Sequence, residues 1–435
     1  LLYWSKMKLL SDGSDLVGVE KVLDIKYMRI VRRSLMIISF WPFKEAGEPQ
    51  SKWVLLDRIY TFFLESLCLV PGIIYVRNSI GKLTFFELGH TYITVMLNIV
   101  AASRLTLIFQ KKYHNVVGKF IHEIHLFNHK DRSPHAMEMH LLVHKMSHFY
   151  TIYLNVMMMG GIIFFNILPI YNNFRSGIYT GKPENVTYEH SVYYSLPFDY
   201  RSNRNGYLVI FSFNLYISFI CSSCICTFDL FISLMIFHLW GHVRILVKSM
   251  ETFPRPKNSG NKHEIEWYTE EESKQVAKNL KAIMDHHHII TNFISDMSNC
   301  FGLVLFIYLG VHQTADCLLL LECSQMNAVS LLRYGPLTVI FFQQLIQISV
   351  VFEILSAAVS MMDNLMLSER SSAYIHPSAG HRSSSWKQTH EAYAPLHNHA
   401  GQRGLVGCHG CKQLAFRSLL ALITKFYHPC SFIFV

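Results

Sequence analysis

Six stretches, at 59–76, 85–109, 149–171, 207–240, 289–311 and 337–359, are each apolar over a length that crosses a bilayer. A hydrocarbon core of ~30 Å takes about 20 residues as a helix. Within it every backbone N–H and C=O must be paired inside the chain, which leaves helices or closed barrels as the spanning structures. Stretches this long predict an all-α membrane protein. Composition agrees, with 51% hydrophobic and only 16% charged residues. The net charge of +9 does not point to nucleic acid, because the basic residues sit beside the spans, where they set topology and face anionic lipid.

Those basic residues alternate between connections. The segment before the first span carries Lys6, Lys8, Lys21, Lys26, Arg29, Arg32, Arg33, Lys44 and Lys52, and the second connection carries Lys111, Lys112, Lys119, Lys130, Arg132 and Lys145. The fourth connection is also rich in Lys. The other side is poorer: Arg77 and Lys82 lie between the first two spans, Arg175, Lys182, Arg201 and Arg204 between the third and fourth, and Arg333 between the fifth and sixth. Lys and Arg are retained on the cytoplasmic side, so a cytoplasmic amino terminus is expected. The acceptor pattern Asn185-Val186-Thr187 then falls outside, where glycosylation occurs. The expected organisation is a cytoplasmic segment at 1–56, a transmembrane bundle at 57–360 with cytoplasmic helical connections at 110–146 and 242–288, and an atypical tail at 361–435.

No catalytic constellation is visible: there is no Gly-rich phosphate loop, GxSxG or HExxH, so neither catalytic residues nor a cofactor are expected. The ten cysteines form no disulfide framework. Cys221, Cys224 and Cys226 read as small apolar packing residues in the fourth span, Cys317 and Cys323 are a possible outer pair, and no metal-ligand set is expected around them or around His286, His287 and His288. Glu65, Glu87, Asp229 and Asp296 lie within or near the ends of spans, where a charge is costly and needs a partner or a function.

Outside the spans, residues 34–43 form an apolar run too short to cross, read as an interfacial or packed helix. Thr269 with Glu272 fits a capping box, followed by Val276, Leu280, Ile283 and Ile290 at helical spacing. That helix is expected to enter the fifth span unbroken. In the outer halves of the third and fourth spans, Tyr153, Met157 and Phe164 face Tyr207, Phe211 and Tyr216 at comparable depth. These six are the candidate ligand-binding residues, because apolar burial with a few hydroxyls suits a long, weakly polar molecule.

The orientation argues against a G-protein-coupled receptor, whose amino terminus is outside, and no internal repeat supports a secondary transporter. Five stretches then carry a resemblance: FFELGH at 85–90, SVYYSLPFDY at 191–200, CTFDLFISLMIFHLWGH at 226–242, LLLLECSQM at 318–326 and RYGPLTVIFFQQLIQISVVFEIL at 333–355. In this order they resemble insect odorant receptors, most of all the pheromone-receptor branch of moths. The resemblance implies a seven-span helical bundle in the plasma membrane of olfactory dendrites. It also implies a heterotetramer with the odorant receptor coreceptor that forms a ligand-gated, non-selective cation channel, and a hydrophobic volatile ligand such as a long-chain acetate, aldehyde or alcohol. The alternatives are a seven-span receptor acting through a cytoplasmic transducer, or a non-conducting product of a disrupted receptor gene.

Six spans are clear, and the seventh is where the chain departs from the family. Residues 368–413 are rich in Ser, His, Gly and Arg without amphipathic period, and the final apolar piece contains Arg417, Lys425, His428 and Pro429. Each central basic residue costs about 2.5 to 3.5 kcal/mol on insertion. A frame change or retained non-coding sequence after about Met366 accounts for this. Translating the genomic DNA beyond that codon in the other frames is expected to reveal a family-like seventh span; finding none in any frame contradicts the frame change.

Overall fold

The computed structural model describes residues 13–83, 85–179, 187–253, 269–324 and 328–374. Among these the chain is helical, with no strand beyond one isolated bridge from Ile80 to Leu83. The helices are α1 (Lys26–Ile37), α2 (Val54–Ser79), α3 (Phe85–Leu105), α4 (Lys111–Lys119), α5 (Pro134–Arg175), α6 (Arg204–Glu251), α7 (Glu270–Cys323) and α8 (Ala328–Tyr374). Six of them, α2, α3, α5, α6, α7 and α8, are long and apolar enough to cross a membrane. At 1.5 Å per residue the 54 residues of α7 extend about 80 Å, well beyond one hydrocarbon thickness.

The capping box at the start of α7 is made in both directions. The Thr269 N–H donates to Glu272 Oε2 (3.0 Å), and the Glu272 N–H donates to Thr269 Oγ1 (3.3 Å). Two otherwise orphaned donors are thereby satisfied, and Glu270, Glu271 and Glu272 complement the positive end of the helix dipole. The helix continues without interruption through the fifth span.

The described residues divide into two compact units, one within Leu1–Ile121, His144–Leu234 and Cys300–Val350, the other within His122–Val143, Met235–Asn299 and Val351–Val435. In the first, the run at 34–43 is not one helix: it is helical only to Ile37, the end of α1, and then turns, with Ile38, Phe40 and Trp41 packed inside. Phe40 and Trp41 are fully buried, Phe40 meets Tyr113 and Phe228 edge-on, and Trp41 Nε1 donates to Glu48 Oε2 (3.0 Å), which also accepts from Arg32.

The second unit carries interlocked histidines. His242 Nε2–H donates to the Ile124 carbonyl (2.7 Å), leaving Nδ1 to accept from His286 Nε2–H (2.9 Å). The Leu126 N–H donates to His238 Nδ1 (3.1 Å), and the His125 ring lies 4.0 Å from that of His238. His286 is therefore a packing partner of α6, and among the described residues no group of His, Cys, Asp or Glu is arranged to hold a metal.

Helix α6 is the axis of the first unit. Its most apolar window is 89% buried against 22% for α2, so α6 is packed within the chain while most of α2 is exposed. Asp229 of α6 receives Arg104 of α3 (Nη2 to Oδ1, 2.7 Å) and the Tyr308 hydroxyl of α7 (3.0 Å). The fully buried Arg104 guanidinium also lies over the Tyr308 and Phe228 rings, at 4.3 and 5.0 Å, and donates to the Ile225 carbonyl. Asp229 thus has a partner that ties three helices together. Breaking such a pair leaves one uncompensated buried charge, at about 3 to 5 kcal/mol. Asp229→Asn is expected to lower thermal stability of the purified protein by that order. The paired change Asp229→Leu with Arg104→Met should cost less than either single change, and additive losses would contradict the assignment.

Candidate functional site

Small side chains open a cavity in the first unit. On α6, Ser218, Cys221 and Ser222 recess one wall, and on α5 Gly161 presents no side chain, the nearest atom to a Cβ built there being Ile340 Cδ1 at 3.7 Å. Larger neighbours do not close the gap, and about 100 Å³ of free space remains between α2, α3, α5, α6 and α8. Met157, Met158, Phe165, Ile340 and Phe341 give it soft, polarisable walls. Such a lining binds apolar molecules through dispersion and area burial without demanding one shape.

The polar groups at its edge are mostly engaged with the protein. Asn98 Nδ2–H donates to Cys68 Sγ (3.3 Å), Cys68 Sγ contacts the Tyr194 hydroxyl (3.1 Å), and Gln344 Nε2–H donates to Cys226 Sγ (3.4 Å). Thr94 donates back to the Thr91 carbonyl (2.9 Å).

The connection at 187–203 covers one side of the cavity. Val192 reaches the cavity, and its carbonyl accepts from Asn214 Nδ2–H (3.2 Å). Ser191 donates to Asn166 Oδ1 (3.0 Å), and the Ser195 N–H donates to the Pro71 carbonyl (3.3 Å). The Tyr200 hydroxyl both donates to the Tyr194 carbonyl (2.7 Å) and accepts from the Tyr194 N–H (3.0 Å). Arg201 donates to the Tyr75 hydroxyl (2.7 Å) beside the stacked Tyr75 and Tyr193 rings. A Cβ at Gly206 would lie 2.4 Å from the Asp199 carbonyl oxygen and 2.9 Å from Tyr200 Cα, so only glycine lets the loop close onto the start of α6.

Of the six residues singled out from sequence, Met157 lines this cavity. Phe164 is 58% exposed while its neighbour Phe165 lines the wall, and Tyr216 is 44% exposed beside the lining residue Ile217. Tyr153 lies two turns of α5 before Gly161, its ring stacked on Phe149. Tyr207 and Phe211 join a separate aromatic cluster. Tyr207 stacks on Tyr188 at 4.4 Å and on Phe211 at 5.8 Å, and its hydroxyl meets that of Tyr179 (2.7 Å). Cys68, Asn98, Ser218, Ser222, Phe341 and Gln344 were not singled out. Their one sequence signal is the run of small residues at 218, 221 and 222, which share a helix face. Cys317 and Cys323 are both free thiols and not a pair: Cys317 is exposed, and Cys323 Sγ instead lies 3.5 Å from Thr338 Oγ1. Asn185 and the tail beyond Tyr374 lie outside the described residues.

His190 gives the covering loop a pH response. Its ring is buried, donates from Nε2 to the Tyr200 carbonyl (3.2 Å), and packs against Tyr200 and Tyr207 at 5.0 and 5.1 Å. Burial, aided by the charge of Arg201, pushes its pKa down to about 4 from the ordinary 6.5. A proton binds the unfolded ring first, so this packing is fully stabilising above 6.5 and is lost as pH falls towards 4. Corrected for the intrinsic pH dependence of amide exchange, the protection of residues 187–203 should fall across that window in the wild type and respond less to pH in His190→Gln. Equal pH dependence in both would contradict the assignment. Gly206→Ala is expected to raise exchange in the same loop at neutral pH.

The family model described as 7tm Odorant receptor matches residues 87–352. Among solved structures, the insect olfactory receptor OR5 from Machilis hrabei is similar in fold, with a TM-score of 0.63 and 12% identity over 77% of this chain and 81% of that one. The same receptor in complex with eugenol gives a TM-score of 0.58 at 12% identity, over 78% of this chain and 88% of that one. No curated protein sequence matches. With six apolar helices, a cavity among them and a family match over more than half its length, the chain belongs to the 7tm odorant receptor family.

Proposed function

We propose that this receptor is the ligand-recognising subunit of a ligand-gated, non-selective cation channel, assembled as a heterotetramer with the odorant receptor coreceptor in the dendritic membrane of olfactory neurons. Its ligand is a volatile, long-chain compound of the pheromone type, and its amino terminus is cytoplasmic, as the basic connections require. The observation that carries this reading is the methionine- and phenylalanine-lined cavity at the convergence of five helix-borne walls. The eugenol complex of the Machilis receptor, similar in fold, shows that such a bundle accommodates a small aromatic odorant in that protein.

Gating requires no bond chemistry. A ligand that fits the cavity better in the open arrangement than in the closed one shifts the equilibrium by that difference in affinity. Movement of α5, α6 and α8, whose side chains form the walls, is the route by which occupancy is felt elsewhere. Met157 touches the ligand. Tyr207 and Phe211 hold the outer connection in place, and Tyr153, Phe164 and Tyr216 shape the helices without entering the cavity.

Co-expression with the coreceptor, with this tail and with a family-like tail, and recording against long-chain acetates, aldehydes and alcohols tests the reading. At least one compound should evoke a dose-dependent current. Gly161→Phe, which fills the cavity, should abolish that response or weaken it at least tenfold while leaving surface expression intact. An undiminished response in Gly161→Phe would contradict the cavity as the ligand site, and responses that do not depend on the coreceptor would contradict the channel assignment.

A further inference from the structure

Between Ile220 and Leu234, every residue of α6 is buried except Ser222. What Ser222 opens onto is the cavity, which it lines together with Ser218 one turn before it. Four residues apart, the two share a face of the helix, about 6 Å apart along its axis. A hydroxyl inside a helix commonly satisfies itself by donating to the carbonyl four residues before. Ser233 does so further along α6, donating to the Asp229 carbonyl (2.7 Å), and Thr151 does so on α5, donating to the Ser147 carbonyl (2.7 Å). Ser218 and Ser222 make no hydrogen bond to any described residue.

The other polar side chains of the lining are drawn into the protein. Thr94 donates to the Thr91 carbonyl of its own helix, and Asn98 and Gln344 are each held by a bond to a cysteine sulfur. None of the lining side chains is charged, so an ammonium or carboxylate would lose its water and find no counter-charge. The lining thus offers a neutral ligand two neighbouring hydroxyls whose hydrogen bonds the protein leaves unmade. Each supplies one O–H donor. A carbonyl oxygen has two lone pairs and no proton to place, so it accepts from both, whereas an alcohol brings a donor of its own.

We propose that Ser218 and Ser222 are the specificity determinants for the polar end of the ligand. They donate to the carbonyl oxygen of an aldehyde or ester whose apolar chain lies against Met157, Met158 and Phe341. This rests on the cavity being the ligand site, and it adds the class of functional group that the site selects.

The test uses the purified full chain in lipid nanodiscs and reads thermal stabilisation by a matched twelve-carbon series of aldehyde, acetate ester, alcohol and alkane. Wild type should prefer the aldehyde or ester over the alkane by about tenfold in apparent affinity, the worth of one hydrogen bond. Ser218→Ala with Ser222→Ala should bring that ratio close to one, and each single change should lower it part of the way. Alanine is a better helix former than serine, so these variants keep the fold. Ser222→Thr, which retains a hydroxyl, should retain most of the preference, and Ser233→Ala, whose hydroxyl is bound within its own helix, should leave the ratio as in wild type. An undiminished ratio in the double variant overturns the proposal. So does an equal loss in Ser233→Ala, or an alcohol bound more tightly than both carbonyl compounds. Gly161→Phe separates the two levels. If it leaves all four probes binding normally, the cavity reading has failed; if it abolishes all four while the double alanine variant keeps the wild-type ratio, only the role of the serines has failed.

Discussion

The ion pair between Arg104 and Asp229 is the constraint around which the first unit is arranged. Two full charges inside an apolar bundle are tolerated when each is met by the other and most of the remaining polar atoms find partners. Here the guanidinium reaches a carboxylate and a helix carbonyl and lies over two aromatic rings, while the carboxylate also takes a tyrosine hydroxyl. That geometry fixes the rotation of α3, α6 and α7 about their axes. It thereby decides which residues of α6 face inward one to three turns away, where Ser218, Cys221 and Ser222 open the cavity.

Stability and recognition are thus placed in series along α6. The Arg104 network lies at the middle of α6, the recessed small residues two to three turns before it, and Tyr207 with its aromatic partners at its start, under the connection at 187–203. A packed core transmits displacement because it has little free volume. A ligand filling this recess would lie against the same helix that carries Asp229, so a shift of α6 would meet the ion pair. This is a physical basis for coupling between occupancy and conformation, with the energy supplied by differential binding.

Much of the architecture was legible in the sequence, because its causes are local or cumulative. All six spans follow from mean apolarity over about 20 residues, and the capping box of α7 from two residues three apart. The identity of the cavity wall was less legible. In helices that are apolar all round, periodicity no longer marks the inward face, and successive residues differ by about 100°. Phe164 and Phe165, or Tyr216 and Ile217, are equivalent to a sequence reading, yet in each pair the second lines the cavity and the first is substantially exposed. The partner of Asp229 was also hidden, since Arg104 lies 125 residues away along the chain.

The central claim is that the ligand occupies the space between α2, α3, α5, α6 and α8. A structure of this receptor with the coreceptor, determined with and without an active long-chain compound, tests it most directly. Density appearing beside Met157, Phe165 and Phe341 is the predicted result. Density confined to the Tyr188–Tyr207 cluster or to the lipid face of α2, with the cavity unchanged, would contradict it.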